Sequence, residues 1–192
     1  MRTFFADLKA DRQAYAALGG WVSHPGFWIV AIHRLGEWVH RLPRGLRVPL
    51  WLLYRALHLS YWAFNVELWA GKGGSKLGPG LCLIHPNNVY FGPGVDIGPN
   101  CLIHHEVTLG MGSVPGTPKL GKNVVLYPGA RIQGGIVLGD DVVVGANCVV
   151  SRHIAPGTVV LPAVNRLMPR SLSPTVRRMD AEHAAHPPTT ES

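Results

Sequence analysis

Residues 81–100 read LCLIHPNNVYFGPGVDIGPN, and their spacing decides the fold. Cut into sixes from Leu77, the chain runs LGPGLC and LIHPNN, then a stray pair, Val89-Tyr90, then FGPGVD, IGPNCL and IHHEVT. After a non-repeating stretch the beat resumes at Leu120 as LGKNVV, LYPGAR, IQGGIV, LGDDVV, VGANCV and VSRHIA. An aliphatic residue leads nearly every six, glycine is frequent in second place, and a small or branched apolar residue often fills the fifth. A short fixed repeat of this kind marks a parallel β-helix. Three sixes make one triangular coil, and stacked coils pair backbone to backbone at about 4.8 Å per layer. The leading aliphatic points into the prism, and the glycine eases the corner.

Two departures break this regular tract. One is the Val89-Tyr90 pair; the other is MGSVPGTPK, residues 111–119, which must leave the prism as a loop. Interruptions in a solenoid are where binding surfaces tend to be built. Ahead of the repeats the texture is helical. In HPGFWIVAIHRLGEWVHRL, Pro25 and Gly26 break the chain, and Phe27, Ala31, Leu35, Trp38 and Leu42 recur at spacings of three to four. That spacing predicts one apolar helix face. Residues 48–66, VPLWLLYRALHLSYWAFNV, predict a second helix. Arg55 and His58 would be costly at a bilayer centre, so a core helix is favoured over a membrane span. A membrane-surface helix is the third option. Beyond Leu161 the repeat fades, and HAAHPPTTES at the end reads as a solvated tail.

Composition sets the outer bounds. The 192 residues are 47% hydrophobic and only 15% charged, a globular balance sized for one domain, or one with a small appendage. The formal charge is +7 with no dense basic block, which suits an anionic small molecule or membrane headgroups and disfavours nucleic acid. Cys82, Cys101 and Cys148 show no CxxC spacing and sit in apolar patterns, predicting buried free thiols. No secretory pattern opens the sequence, so the expected location is cytoplasmic, including the inner membrane face.

His85 is the sharpest chemical candidate. It holds the third, outward-facing place of its six, where the core needs no imidazole. Histidine serves as a general base near neutral pH when a carboxylate orients its other nitrogen. Glu67, just before the repeats, and Asp11, in the first helical segment, are candidate partners; each also reads simply as a solvated charge. His104, His105 and Glu106 form a second cluster, but the close i, i+4 histidine spacing typical of zinc ligands is missing, so no metal is expected. Asp140 and Asp141 fill turn positions and read as structural.

The chain resembles the serine acetyltransferases and the wider group of hexapeptide-repeat O-acetyltransferases, including colanic-acid-type polysaccharide enzymes. HPGFWIVAIHRLGEWVHR looks like the family's helix with an HR-x-x-x-W pattern. LGPGLCLIHPNNVYFGPGVDIGPNCLIHHEVTLG is similar, without a gap, to its catalytic stretch, the two-residue shift included. The resemblance implies a left-handed β-helix, side-by-side trimers that can pair as a dimer of trimers, and acetyl-CoA as co-substrate. It places His85 on the catalytic base and Asp11 on an acidic residue that helps hold the acceptor. Glu67 falls on the base's carboxylate partner if an insertion within AGKGGSK is allowed. Coenzyme A is expected along the prism edge, met by Ala130, Gly145 and Ala146 and by a basic residue such as Arg170.

The departures bear on the acceptor. Serine acetyltransferases carry an aspartate before the catalytic histidine, where this chain has Ile84. They also carry an Arg-His pair in the loop, where this chain reads VPGTPKL with no arginine. A free amino-acid carboxylate thereby loses its bidentate partner. The expectation is therefore mainly β, with an α-helical part at 1–68, a left-handed parallel β-helix at 69–163 and a C-terminal extension at 164–192. The expected activity is acetyl transfer to a hydroxyl, with a polysaccharide sugar favoured as acceptor. The alternatives are L-serine, in cysteine biosynthesis, and a non-catalytic β-helix scaffold.

Overall fold

The computed structural model describes residues 4–163. Within them, helices α1 (Phe4–Ala16), α2 (Pro25–His40) and α3 (Arg44–His58) precede a 3-10 segment, Leu59–Phe64, and fourteen short strands. All the strand pairings are parallel, and they build the three faces of a left-handed β-helix of about five coils. One face stacks Glu67–Leu68, Tyr90–Phe91, Thr108–Gly110, Arg131–Gln133 and Val149–Val150. The second stacks Lys76–Leu77, Asp96–Ile97, Lys119–Leu120 and Val137–Leu138; the third runs from Cys82–Leu83 to Val159–Val160.

The leading residues of the sixes are the inward ladder. Leu83, Ile97, Ile103, Leu109, Leu126, Ile132, Leu138 and Val144 are all buried, and Phe91 takes the same role. Between them the fifth-place residues Leu81, Val95, Cys101, Val107, Val124, Ile136 and Val142 fill the corners. The three cysteines are buried free thiols, and burial pushes Cys82 and Cys101 up to about 11. Asp140 and Asp141 are structural, accepting from the Lys122 amide (2.9 Å) and the Asn123 side-chain amide (2.8 Å).

The helices correct two expectations. The buried face of α2 is not the stripe Phe27, Ala31, Leu35, Trp38; apart from Phe27 it is Gly26, Ile29, Val30, His33, Arg34, Gly36 and Val39. The polar pair His33-Arg34 points inward because the first coil offers it backbone acceptors. Helix α3 is not a core helix: Tyr54 is its one buried residue. No described helix is long and apolar enough to cross a membrane.

Helices and prism form one compact unit up to Pro162. Contact is close because Gly26 lacks a side chain. A Cβ there would stand 2.0 Å from the Leu83 carbonyl oxygen, so any larger residue would push α2 off the prism. His33 is fully buried, and its Nε2 donates to the Ser75 carbonyl at 3.1 Å, which leaves Nδ1 without a partner. Burial pushes this imidazole down to about 4 from an ordinary 6.5, so it is neutral in the folded chain.

The sign of the consequence is fixed. Unfolding frees His33 to take up a proton below about pH 6.5, so its stabilising contribution is complete above that pH and is lost as pH falls towards 4. The loss amounts to about 3 kcal/mol. Urea unfolding at pH 7.5, 5.5 and 4.5 should show falling stability, and His33→Gln, which keeps a donor towards Ser75, should flatten that slope. An unchanged slope would refute the assignment.

Candidate active site

The step from Leu83 to Phe91 covers eight residues where a regular repeat takes six, and His85 stands inside it. Ile84 still donates its amide to Ile103 on the next coil (2.7 Å). The chain then turns sharply: His85 and Asn88 adopt left-handed φ values of 49° and 54°, and the Asn87 amide folds back onto the His85 carbonyl at 2.6 Å. Asparagine and histidine adopt a left-handed φ more readily than most residues with side chains, so His85 and Asn88 suit this turn. Its effect is to send the imidazole outward, exposed, at the prism corner.

Two more imidazoles lie on the coil stacked above. The His105 ring meets that of His85 edge-on at 6.4 Å, and His104 stacks on Tyr127 at 5.2 Å with planes 13° apart. Partial burial holds His104 below the ordinary histidine range, helped by the neighbouring His105 and His85. The His105 Nδ1 is buried without a hydrogen-bond partner. This corner therefore offers an exposed imidazole, His85, with two more imidazoles close by on the next coil. Among the described residues no group of three or more His, Cys, Asp or Glu side chains could hold a metal ion.

The other expected site residues are not gathered there. No hydrogen bond joins Glu67 to His85 among the described residues; the Glu67 carboxylate accepts from the Trp69 indole at 3.0 Å. It lines a different pocket, about 230 Å³, with His40, Trp51, Tyr54, Arg55 and His58. The extra residues between Leu68 and Leu77 lengthen the first coil on that side, which is the insertion the alignment had required.

Asp11, expected to help hold the acceptor, lies in the interior with partners of its own. It is fully buried, and both carboxylate oxygens are taken: Arg34 donates Nε to Oδ2 and Nη2 to Oδ1 (2.9 Å), and the Gly80 amide donates to Oδ1 (2.8 Å). Arg34 continues to the carbonyls of Leu77 (3.0 Å) and Gly78 (2.7 Å). Burial raises the Asp11 carboxyl, and Arg34 with the Gly80 and Leu81 amides pulls it back. Sequence reasoning also missed Tyr15, whose hydroxyl accepts from the Leu83 amide (2.7 Å) and donates to the Leu83 carbonyl (3.3 Å). The inward-turned His33-Arg34 pair was its one available signal.

Of the residues expected to meet coenzyme A, Ala130 is buried with its amide bonded to Tyr127 (3.2 Å), and the Gly145 amide is bonded to Val160 (2.8 Å). Neither amide is free for a ligand. Ala146 is exposed at the corner, and its amide has no partner among the described residues. Arg170 lies outside the described residues.

Comparison with known proteins agrees with this geometry. Residues 117–152 match the bacterial transferase hexapeptide (six repeats) family. The chain is 33% identical over 178 residues to the serine acetyltransferase of Synechococcus elongatus, covering 88% of this chain and 69% of the relative. It belongs to the serine acetyltransferase family. Among solved structures, the serine acetyltransferase of Neisseria gonorrhoeae in complex with serine superposes with a TM-score of 0.65 at 26% identity, over 83% of this chain and 66% of the other. That of Brucella abortus in complex with coenzyme A gives 0.65 at 25% identity, over 85% and 66%. The chain thus spans just under two thirds of each of these structures.

The buried pair supplies a direct test. Removing one partner of a buried ion pair typically costs about 3–5 kcal/mol, because the other charge is left uncompensated. Arg34→Met should destabilise the chain by that amount in urea unfolding. Asp11→Asn, which strips the buried Arg34 of its countercharge, should cost at least as much, and the KM of the folded chain for its acceptor should be unchanged. A raised KM at unchanged stability would return Asp11 to the acceptor site.

Proposed function

We propose that the chain is an acetyl-CoA-dependent O-acetyltransferase whose acceptor is L-serine. The observation that carries the reading is the outward, left-handed His85 in a stretch similar to the family's catalytic segment. Two relatives support it further, one bound to serine and one to coenzyme A. The relatives weigh against the sugar acceptor that the loop had favoured.

In this mechanism the acceptor hydroxyl gives its proton to the His85 imidazole as its oxygen attacks the thioester carbonyl. The tetrahedral intermediate expels the coenzyme A sulfur, and the imidazolium returns the proton to that thiolate. Base catalysis of this kind contributes about 10²–10⁴-fold in rate. Positioning and oxyanion stabilisation supply the remainder. The exposed corner becomes a cleft when prisms associate side by side, and we take the working unit to be a trimer. Coenzyme A then runs along the prism edge past the free Ala146 amide.

One observation keeps a second acceptor in view. The loop from Val114 to Lys119 has no arginine, and it is tied to the prism rather than projecting from it. The Gly135 amide donates to the Val114 carbonyl at 3.0 Å, and the Thr117 hydroxyl to the Gly94 carbonyl at 2.9 Å. A sugar hydroxyl needs no carboxylate clamp.

Thiol release from acetyl-CoA, measured with L-serine and with a panel of sugars, separates the readings. Release with L-serine is expected. His85→Ala should lower kcat by about 10²–10⁴-fold while coenzyme A binding stays within a few-fold. Release with sugars alone would select the second acceptor, and release with neither would leave a scaffold.

A further inference from the structure

We infer that α3 docks flat on an anionic lipid bilayer, through a surface separate from the His85 corner. The helix carries an outward apolar face that the described residues do not cover. Leu46 is 62% exposed, Leu52 57% and Leu53 50%, and Trp62 on the following segment is 81% exposed. At 100° per residue, Leu52 and Ala56 fall opposite Tyr54, the residue that anchors the helix, and Leu46, Leu53 and Leu57 extend this exposed apolar arc round one side.

Charge selects the partner. From Trp38 to Val66 the sequence has no acidic residue, while Arg41, Arg44, Arg47 and Arg55 all lie in that span. Arg44 and Arg55 lie together on the other side of Tyr54 and border the apolar arc at Val48, as the same helical geometry requires. Arg44 and Arg47 also sit in or beside the first turn, which holds no acidic residue. There a positive charge opposes the helix dipole and costs folding stability. Arg47 has a local partner, donating Nε to the Leu42 carbonyl at 3.3 Å, but Arg44 has none among the described residues, and attraction to phosphate headgroups supplies one. An exposed apolar arc bordered by arginines, with Trp62 just past its C-terminal end, has the chemistry of a helix lying in the bilayer interface. Spanning is not available to a helix of this length and charge.

Flotation of the full chain with vesicles tests this. Binding is expected to phosphatidylcholine vesicles containing phosphatidylglycerol, weakened by salt, with a blue shift of tryptophan emission, and not to phosphatidylcholine alone. Arg44→Gln and Arg55→Gln should each weaken binding about fivefold. Leu52→Ser/Leu53→Ser should weaken it at least about tenfold. These residues are surface-exposed or nearly so, so circular dichroism and thiol release in solution should be unchanged. Equal or absent binding to both vesicle types overturns the proposal. So does a Leu52→Ser/Leu53→Ser chain that floats normally but sediments as a smaller assembly, since the face would then join copies of the chain.

Discussion

A stack of parallel coils has to satisfy the backbone on both of its ends, and everything N-terminal to the prism here follows from that constraint. Each coil pairs with the one above and the one below, but the first coil has none beneath it. Its downward groups are the carbonyls of Ser75, Leu77, Gly78 and Leu83 and the amides of Gly80 and Leu83. Each finds a side chain from the helices: His33, Arg34, Asp11 and Tyr15. A buried group left unmet would cost about 1–3 kcal/mol. The helices are thus the cap of the repeat, and the Asp11–Arg34 ion pair is its keystone.

The same regularity explains where chemistry becomes possible. A prism whose sixes all close in register has only a filled interior and outward side chains. Extra residues cannot enter the stack, so they are extruded at a corner. Three such extrusions occur: between Leu68 and Leu77, between Leu83 and Phe91, and between Leu109 and Leu120. The first opens the pocket beside Glu67, the second turns His85 outward, and the third forms the loop that folds back over Gly134 and Gly135.

The prism was almost wholly legible in the sequence because each inward position obeys one rule: an apolar residue every six places. His85 was legible for the complementary reason, as a polar residue beside a break in that rule. What escaped was polar pairing at a distance. Spacing alone chose Leu35 and Trp38 for the buried stripe of α2, whereas the neighbouring backbone selected His33 and Arg34. Glu67 and Asp11 could be matched to roles by alignment, yet their partners, Trp69 and Arg34, are set by three-dimensional packing. Ala130 and Gly145 failed as amide donors because the coil's own carbonyls had already claimed them.

The central claim is that the two surplus residues between Leu83 and Phe91 create the catalytic position of His85. Deleting Asn87 and Asn88 restores an unbroken six, LIHPVY, ahead of FGPGVD, with Val89 in the inward fifth place. The most direct measurement is thiol release by this deletion variant, with its fold verified by circular dichroism and urea unfolding. A folded chain with turnover reduced to the level of a variant lacking the imidazole is predicted. A folded chain that still transfers acetyl groups at the native rate would contradict the account.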